Sequence, residues 1–316
     1  MTARSTWIRV ARVVYLLALA ALLLWALVSN RDQVVDLLRV ERPWLLGIAL
    51  LTGFGQLALS ASFWVRALAA LDQRVRWWAM VRVTARSIPA RYVPGSVWYA
   101  ASRVAMLRSA GVSVRALGVT ALLESVLTVL VSLLLGGALL GMAGRLPGDH
   151  LTGVAWTLLL AVAVSPPVLN RVLAWVARWR GAGSATALSW GDERALVLWM
   201  IPFWLLSAVT FVLYLWAFGL DLPGPLTIAG AFLVAWAIGF LTPIAPQGAG
   251  AFELVFVALL GGEHGAALAV VVAGFRALMG VRDALAFGWG AWQTARHRDE
   301  PAITAPDGDP AHPAPR

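Results

Sequence analysis

The strongest constraint on the fold is a series of long apolar runs separated by short loops that carry arginine. A helix that crosses a bilayer needs about 20 mostly apolar residues, because its backbone polar groups must be satisfied within the segment. Only 13% of the 316 residues are charged, compared with about 25% in soluble domains. The pattern predicts an all-α, polytopic integral membrane helical bundle. Seven runs reach or approach the required length, at residues 10–29, 44–70, 115–142, 151–169, 194–220, 225–241 and 264–292.

Arginine placement predicts the topology, because the cytoplasmic loops of membrane proteins carry an excess of basic residues. Arginines precede the first run, follow the second and follow the last, so we expect both termini in the cytoplasm. This arrangement needs an even number of crossings, and the short apolar segment around Phe252 must then complete an eighth. We expect residues 1–295 to form one transmembrane domain of the cell (inner) membrane. The polar residues 296–316 are expected to form a disordered cytoplasmic tail.

Two breaks rich in proline and glycine interrupt this pattern, one in each half of the chain. Proline removes a backbone donor and obstructs the preceding helical turn. The basic loops on either side require residues 87–103 either to dip into the membrane and return or to lie flat. Residues 77–88 are either a basic amphipathic helix in the headgroup plane or a plain loop. Matching broken segments in two halves favour an inverted repeat around a transport site. The break residues are Pro89, Pro94, Gly95, Pro243 and Pro246.

Ionisable residues follow both breaks, although a charge at the bilayer centre costs roughly 2.5–3.5 kcal/mol on insertion scales. In the first half, Arg103 follows the break and Glu124 lies in the next helix. In the second half, Glu253 follows the break and Arg276 lies in the next helix. We expect Arg–Glu pairs, within or across the halves, around a polar cavity that binds a phosphate headgroup. The alternative is a set of structural ion pairs that fix helix register.

Two further groups of residues belong to the predicted cavity. Arg282 and Asp283 add a secondary pair of charges in the last run. Gly248 and Gly250 permit positive φ angles and close approach of the backbone to a ligand. If a helix begins near Gly250, its N-terminal amides would face an anion. The alternative is a tight loop between two helices.

Other classes of function find little support in the sequence. Cysteine is absent, which excludes thiolate catalysis and cysteine-ligated metals. The four histidines are scattered, and no Ser-His-Asp pattern, phosphate-binding loop or dinucleotide fingerprint appears. The arginines are spread over several loops rather than along one soluble face, which argues against nucleic-acid binding. We therefore expect no catalytic residue, no metal and no cofactor, and an enzyme is less favoured than a transporter.

Two motifs in a fixed order carry a family resemblance. The first reads Tyr92-Val93-Pro94-Gly95-Ser96-Val97 and is followed by Arg103, Gly111-Val112-Ser113 and Glu124. The second reads Pro246-Gln247-Gly248-Ala249-Gly250-Ala251-Phe252-Glu253. Together they resemble the lysylphosphatidylglycerol synthase transmembrane-region family over most of residues 8–292. Gln247 and Ala249 depart from the commonest form of the second motif, a Pro-Gly-Gly-x-Gly-x-x-Glu loop.

The resemblance implies a flippase-like membrane domain, here a stand-alone member without the soluble aminoacyl-transferase domain that some members carry. We therefore predict a transporter that moves a phospholipid or a polyprenyl-phosphate-linked glycan between leaflets, with membrane lipids as its partners. Two alternatives remain open. One is an enzyme or membrane subunit of lipid-linked glycosyl or aminoacyl transfer. The other is a non-transporting scaffold for a separate transferase or glycosyltransferase.

Overall fold

The computed structural model describes residues 40–92, 97–145, 189–242, 248–260 and 265–297, and the short stretches 165, 167–168, 170–171 and 174. These residues form two similar groups of helices. The first group contains α1 (Pro43–Ala69), α2 (Trp77–Ser87), a 3-10 helix (Ile88–Tyr92), α3 (Val97–Ser109) and α4 (Val114–Met142). The second group contains α5 (Trp190–Trp216), α6 (Pro225–Leu241), α7 (Ala251–Leu260) and α8 (Gly265–Arg296).

The predicted helical membrane bundle is confirmed, and local sequence explains where its helices begin. Pro43 and Pro225 occupy the first turns of α1 and α6, where a missing backbone N–H costs nothing. Ser189 caps α5, because its side chain accepts a hydrogen bond from the Asp192 backbone N–H at 3.1 Å. Three helices, α1, α4 and α5, are long and apolar enough to cross a membrane.

Helices α1 and α5 form an antiparallel pair. The Glu41 backbone N–H, just before α1, donates to the Ala217 carbonyl, just after α5, at 2.9 Å. Near the middle of the pair, the hydroxyls of Thr52 and Thr210 lie 2.8 Å apart. The bundle therefore has two distinguishable ends. We call the end with residues 40–42 and 217–224 the Glu41 end, and the other the Gln73 end.

Helices α2 and α3, with the 3-10 helix between them, form a hairpin that enters from the Gln73 end and returns to it. The Ser113 backbone N–H, after α3, donates to the Gln73 side chain, before α2, at 3.0 Å. Helices α2 and α3 therefore dip in and return, as one of our two alternatives for this part of the chain predicted. The headgroup-plane position considered for residues 77–88 is wrong, because α2 packs inside the bundle against α1 and α8. Ala85 of α2 approaches Gly290 of α8 so closely that a Cβ at residue 290 would overlap it.

Helices α6 and α7 form a second hairpin, which enters from the Glu41 end. Helix α7 has only ten residues and runs back along the last turns of α6. The two segments touch where Gly248 meets Gly239, because a Cβ on Gly248 would overlap the Gly239 backbone. The segment around Phe252 therefore turns back along α6 toward the Glu41 end. The count of eight crossings stays a prediction. The predicted run at 10–29, most of the run at 151–169 and all but the first two residues of the 296–316 tail lie outside the described residues.

The two groups of helices are related as an inverted repeat. Helices α1 to α4 correspond in order to α5 to α8. Helix α2 packs on α8 and its counterpart α6 packs on α4, and helices that are neighbours in one group have counterparts that are neighbours in the other. The two hairpins enter from opposite ends of the bundle. Corresponding helices of the two groups therefore run in opposite directions. Inverted repeats of this kind place a binding site where the repeats meet, near the bilayer midplane.

Candidate functional site

A cavity of about 450 Å³ lies inside the bundle where the tips of the two hairpins approach each other. Pockets for small molecules and cofactors typically have volumes of roughly 300–1,000 Å³. Thr128 and Trp204, which line it, fall near the midpoints of α4 and α5. One side of the wall is aromatic, with Phe203, Trp204, Phe232, Trp236, Phe240 and Phe252. The charged side chains that line it are Arg91, Glu124, Arg276, Arg282 and Asp283.

Arg103 and Glu124 form the first buried ion pair at this cavity. Arg103 Nη1 donates to Glu124 Oε1 at 2.8 Å, and Nη2 donates to Ser60 Oγ at 3.1 Å. The same Nη2 also donates to the Tyr99 hydroxyl. The guanidinium carbon lies 4.0 Å from the centre of the Tyr99 ring and 5.0 Å from that of Trp64. These contacts hold the guanidinium between α1, α3 and α4.

The predicted Arg103–Glu124 pair is confirmed, but the two partners differ in exposure. The Arg103 side chain is 0% exposed and does not line the cavity, whereas Glu124 is 18% exposed and does. Direct contact between Arg103 and a headgroup, which we expected, therefore does not fit its position. Arg103 instead holds Glu124 and Tyr99 in the cavity wall.

Glu253 and Arg276 form the second pair, and Gly250 completes it. Arg276 Nε donates to Glu253 Oε1 at 2.7 Å. The Gly250 backbone N–H donates to the other carboxylate oxygen at 2.6 Å. Arg276 is 30% exposed and lines the cavity, while Glu253 is buried behind it. Both expected pairs thus form within a half of the chain and not across the halves.

The glycines before α7 shape the tip of the second hairpin. Gly248 and Gly250 have φ angles of 67° and 88°, which favour glycine over all other residues. The Gly250 amide, expected to face an anionic ligand, is instead satisfied by the carboxylate of Glu253, in the first turn of α7. Gly248 lines the cavity beside its close contact with Gly239. The tight-loop alternative therefore accounts for both glycines.

Arg282 and Asp283 connect the tip of the first hairpin to the body of the bundle. Arg282 Nε donates to Asp283 Oδ1 at 2.9 Å, and Nη1 donates to Gln56 Oε1 at 3.0 Å. The Tyr92 hydroxyl donates to Asp283 Oδ2 at 2.8 Å. Arg91 Nη1 lies 3.5 Å from the same carboxylate oxygen. The charges that we expected to be secondary therefore anchor Arg91 and Tyr92 at the tip of the first hairpin.

Tyr99 joins the two clusters in the first half of the chain. Its ring lies 4.0 Å from the Arg103 guanidinium carbon and 4.4 Å from that of Arg91. Arg276 and Asp283 lie two turns apart on α8, so the second ion pair reaches the same cavity. Of the four charged residues that we predicted to meet, Glu124 and Arg276 line one cavity. Arg103 and Glu253 stand behind its wall as their ion-pair partners.

Our predictions from the sequence did not include three polar residues of the cavity wall, Gln56, Ser60 and Tyr99. Gln56 and Ser60 lie four residues apart on one face of α1, and this spacing in an apolar helix was an available signal. Tyr99 offered no such signal, since an aromatic residue is ordinary in a membrane helix. Pro89 lies in the 3-10 helix. The other break residues, Pro94, Gly95, Pro243 and Pro246, lie outside the described residues.

Comparison with known proteins agrees with this architecture. The sequence matches the family model described as Lysylphosphatidylglycerol synthase TM region over residues 13–281, which is most of the chain. No curated protein matches the chain. Among the described residues, no group of three His, Asp or Glu side chains could hold a metal ion. The chain therefore belongs to the lysylphosphatidylglycerol synthase transmembrane-region family and is a multi-pass helical membrane protein whose function is related to membrane lipids.

Proposed function

We propose that the protein moves a lipid with a phosphate-containing headgroup between the two leaflets. The lipid is a phospholipid or a polyprenyl-phosphate-linked glycan. The observation that carries this proposal is the charged cavity at mid-depth between two hairpins that enter from opposite ends. Ionisable side chains inside a membrane bundle are costly, and they typically mark a substrate or ion pathway. A purely structural bundle has no need of a cavity with this lining.

The headgroup phosphate binds beside the guanidinium groups of the cavity wall. Arg91, Arg276 and Arg282 line the cavity, and guanidinium groups bind phosphate oxygens through charge-assisted, often bidentate hydrogen bonds. Glu124 and Glu253 orient the arginines that they contact. The hydrocarbon chains stay in the bilayer while the headgroup crosses. Because the sequence has no phosphate-binding loop, the energy comes from a gradient or the lipid equilibrates passively.

We propose that the Gln73 end faces the cytoplasm in a cell (inner) membrane. Exposed arginines at this end are Arg66, Arg74, Arg76, Arg108, Arg115, Arg194 and Arg296. The Glu41 end has Arg42 and Arg145, accompanied by Glu41 and Asp221. An excess of basic residues marks the cytoplasmic side. The first hairpin then opens from the cytoplasm and the second from the opposite side.

The orientation is testable because the chain has no cysteine. We expect a membrane-impermeant maleimide on intact cells to label Asp221→Cys, at the Glu41 end, and to leave Ser109→Cys, at the Gln73 end, unlabelled. Permeabilised cells should label both variants. The opposite labelling pattern on intact cells would reverse the proposed orientation.

Lipid movement is tested with purified protein in vesicles that carry fluorescent phospholipids or polyprenyl phosphates. We expect leaflet exchange faster than in protein-free vesicles and a marked loss of exchange in Arg276→Gln. Arg108→Gln serves as the matched control, because Arg108 is exposed and lies outside the cavity wall. Exchange no faster than in empty vesicles, or unchanged exchange in a folded Arg276→Gln protein, refutes the proposal.

The same vesicles separate the proposal from its alternatives. An enzyme of glycosyl or aminoacyl transfer would change the mass of the lipid, which mass spectrometry of the extracted lipids detects. A scaffold would leave the lipids in place and co-purify with a transferase or glycosyltransferase. We expect lipids of unchanged mass in the opposite leaflet.

A further inference from the structure

The formal charges around the cavity do not cancel. Among the described residues, four arginines line the cavity or stand directly behind its wall, and three carboxylates do so. The break residues adjoining the hairpin tips, 93–96 and 243–247, contain no ionisable side chain that could change this sum. The arginines are Arg91, Arg103, Arg276 and Arg282, and the carboxylates are Glu124, Glu253 and Asp283. The described residues around the cavity therefore carry one positive charge in excess.

The excess charge is located at Arg91, in the tip of the first hairpin. Arg103 and Arg276 each have a carboxylate of their own, whereas Arg91 and Arg282 share Asp283. Arg282 makes the closer contact with Asp283, and Arg91 Nη1 lies 3.5 Å from it. Arg91 is 26% exposed and lines the cavity, so a ligand can reach its guanidinium.

A site with an uncompensated charge in a low-dielectric interior favours a ligand that supplies the missing opposite charge. One negative charge neutralises this cavity. A diphosphate brings more than one, and a headgroup that carries extra ammonium groups places like charges beside Arg91. A zwitterionic headgroup leaves the excess charge in place.

We propose that the cavity selects a phosphodiester headgroup with a single net negative charge, and that Arg91 sets this selectivity. The inference rests on the proposed function for the location of the site and adds the class of substrate. A phosphodiester of this charge occurs both in phosphatidylglycerol and in a polyprenyl phosphate that carries one uncharged sugar. The two lipids differ in their chains and sugars, so the experiment tests them as separate arms.

Binding is measured by competition between lipid pairs on the purified full-length protein, followed by native mass spectrometry. The probes are phosphatidylglycerol, polyprenyl phosphomonosaccharide, zwitterionic phosphatidylcholine, cationic aminoacyl-phosphatidylglycerol and polyprenyl diphosphate. We expect at least one of the two monoanionic phosphodiesters to bind about tenfold tighter than each of the last three, as one charge-assisted contact predicts. The ranking of the two monoanionic lipids identifies the source of the phosphodiester.

Three variants connect this preference to Arg91. Arg91→Gln removes the excess charge, and the preference for phosphatidylglycerol over phosphatidylcholine should fall to about onefold. Arg91→Lys keeps the charge and should keep most of the preference. Glu124→Gln removes one negative charge from the cavity wall, raises the excess positive charge to two and should shift the preference toward polyprenyl diphosphate. Arg108→Gln removes an exposed arginine outside the cavity and should bind like the unaltered protein.

The outcomes distinguish this inference from the proposed function. Equal affinity for all headgroup charges, a preference that survives in folded Arg91→Gln, or no binding of any probe overturns the inference. Selective binding of monoanionic lipids without leaflet exchange in vesicles refutes lipid movement and leaves the charge selectivity intact. Exchange that ignores headgroup charge supports lipid movement and overturns the role of Arg91.

Discussion

Breaking the Arg103–Glu124 pair should cost far more stability than breaking an exposed ion pair. In Arg103→Gln the protein loses hydrogen bonds to Glu124, Ser60 and Tyr99, and ring contacts with Tyr99 and Trp64. The change also leaves the Glu124 carboxylate without its cation. Removing one partner of a buried pair typically costs about 3–5 kcal/mol. Because Glu124 keeps 18% exposure at the cavity wall, we expect the lower value, about 3 kcal/mol.

Replacing the other partner, Glu124, should lower the free energy of unfolding by at least as much, because it leaves a fully buried cation without its carboxylate. In Glu124→Gln the Arg103 guanidinium stays fully buried without a countercharge, and we expect a loss of about 4–5 kcal/mol. The double variant removes both charges, so its loss should fall short of the sum by about 2–3 kcal/mol. This difference is the coupling energy of the pair.

The free energies of unfolding can be measured in mixed micelles by denaturant titration followed by tryptophan fluorescence. The same cycle on Arg276 and Glu253 is the control. Its carboxylate is also buried, but the Arg276 guanidinium is 30% exposed, so solvent screens this pair more than it screens Arg103 and Glu124. There we expect a coupling of about 1 kcal/mol or less. Additive effects of Arg103→Gln and Glu124→Gln within about 0.5 kcal/mol would refute the reasoning. A larger coupling between Arg276 and Glu253 than between Arg103 and Glu124 would do the same.

Two other changes test the tip of the second hairpin and the junction of the charged clusters. Gly248→Ala should destabilise the protein by about 2 kcal/mol or more, because of its positive φ and its contact with Gly239. Gly137→Ala on α4, where an added Cβ meets no atom within 4 Å, should be neutral or stabilise by about 1 kcal/mol. A Gly248→Ala protein that unfolds at the same temperature as Gly137→Ala contradicts this account. Tyr99→Phe loses only the hydroxyl that accepts from Arg103 and should cost about 1 kcal/mol, whereas Tyr99→Ala also loses the ring and should cost about 3 kcal/mol. Equal losses, measured by denaturant titration, would show that the ring contributes nothing.

The long helices were predictable because lipid imposes a simple requirement on length and polarity. The expected runs 44–70, 115–142 and 264–292 correspond to Pro43–Ala69, Val114–Met142 and Gly265–Arg296. A helix in hydrocarbon must satisfy its own backbone and present apolar side chains, and both demands are visible in the sequence. The bounds of these three helices therefore followed from the apolar runs to within four residues. The expected run 194–220 is shifted by four residues from Trp190–Trp216.

The second hairpin was not predictable by the same reasoning. Helix α6 has 17 residues, near the lower limit for a crossing, so length alone does not distinguish a crossing from a hairpin. The contact between Gly239 and Gly248, which joins the two segments, exists only after the chain has folded on itself. Sequence identified Gly248 as special but gave no indication of its partner.

Charge pairing was predictable, and the direction of each side chain was not. An uncompensated charge inside a membrane is costly, so Arg103 and Glu124 had reason to meet. Which of them faces the cavity depends on the rotation of α3 about its axis. Pro94 and Gly95 interrupt the helical pattern between α2 and α3. The periodicity of α2 therefore does not predict which face of α3 points toward the cavity. For the same reason, we did not predict that Arg91 and Tyr92, which precede this break, would line the cavity.

The inverted repeat exchanges positive and negative charge between its halves. In the first half, the arginine is on the short hairpin helix and the glutamate is on the following long helix; in the second half, the order is reversed. If one half is rotated onto the other, each arginine falls on the position of a glutamate. The dipole of one ion pair therefore points opposite to that of the other. If the protein moves lipids as proposed, a charged headgroup would experience different forces on leaving toward one leaflet or the other, although the backbones of the two halves correspond. The protein is thus symmetric in architecture and polarised in electrostatics.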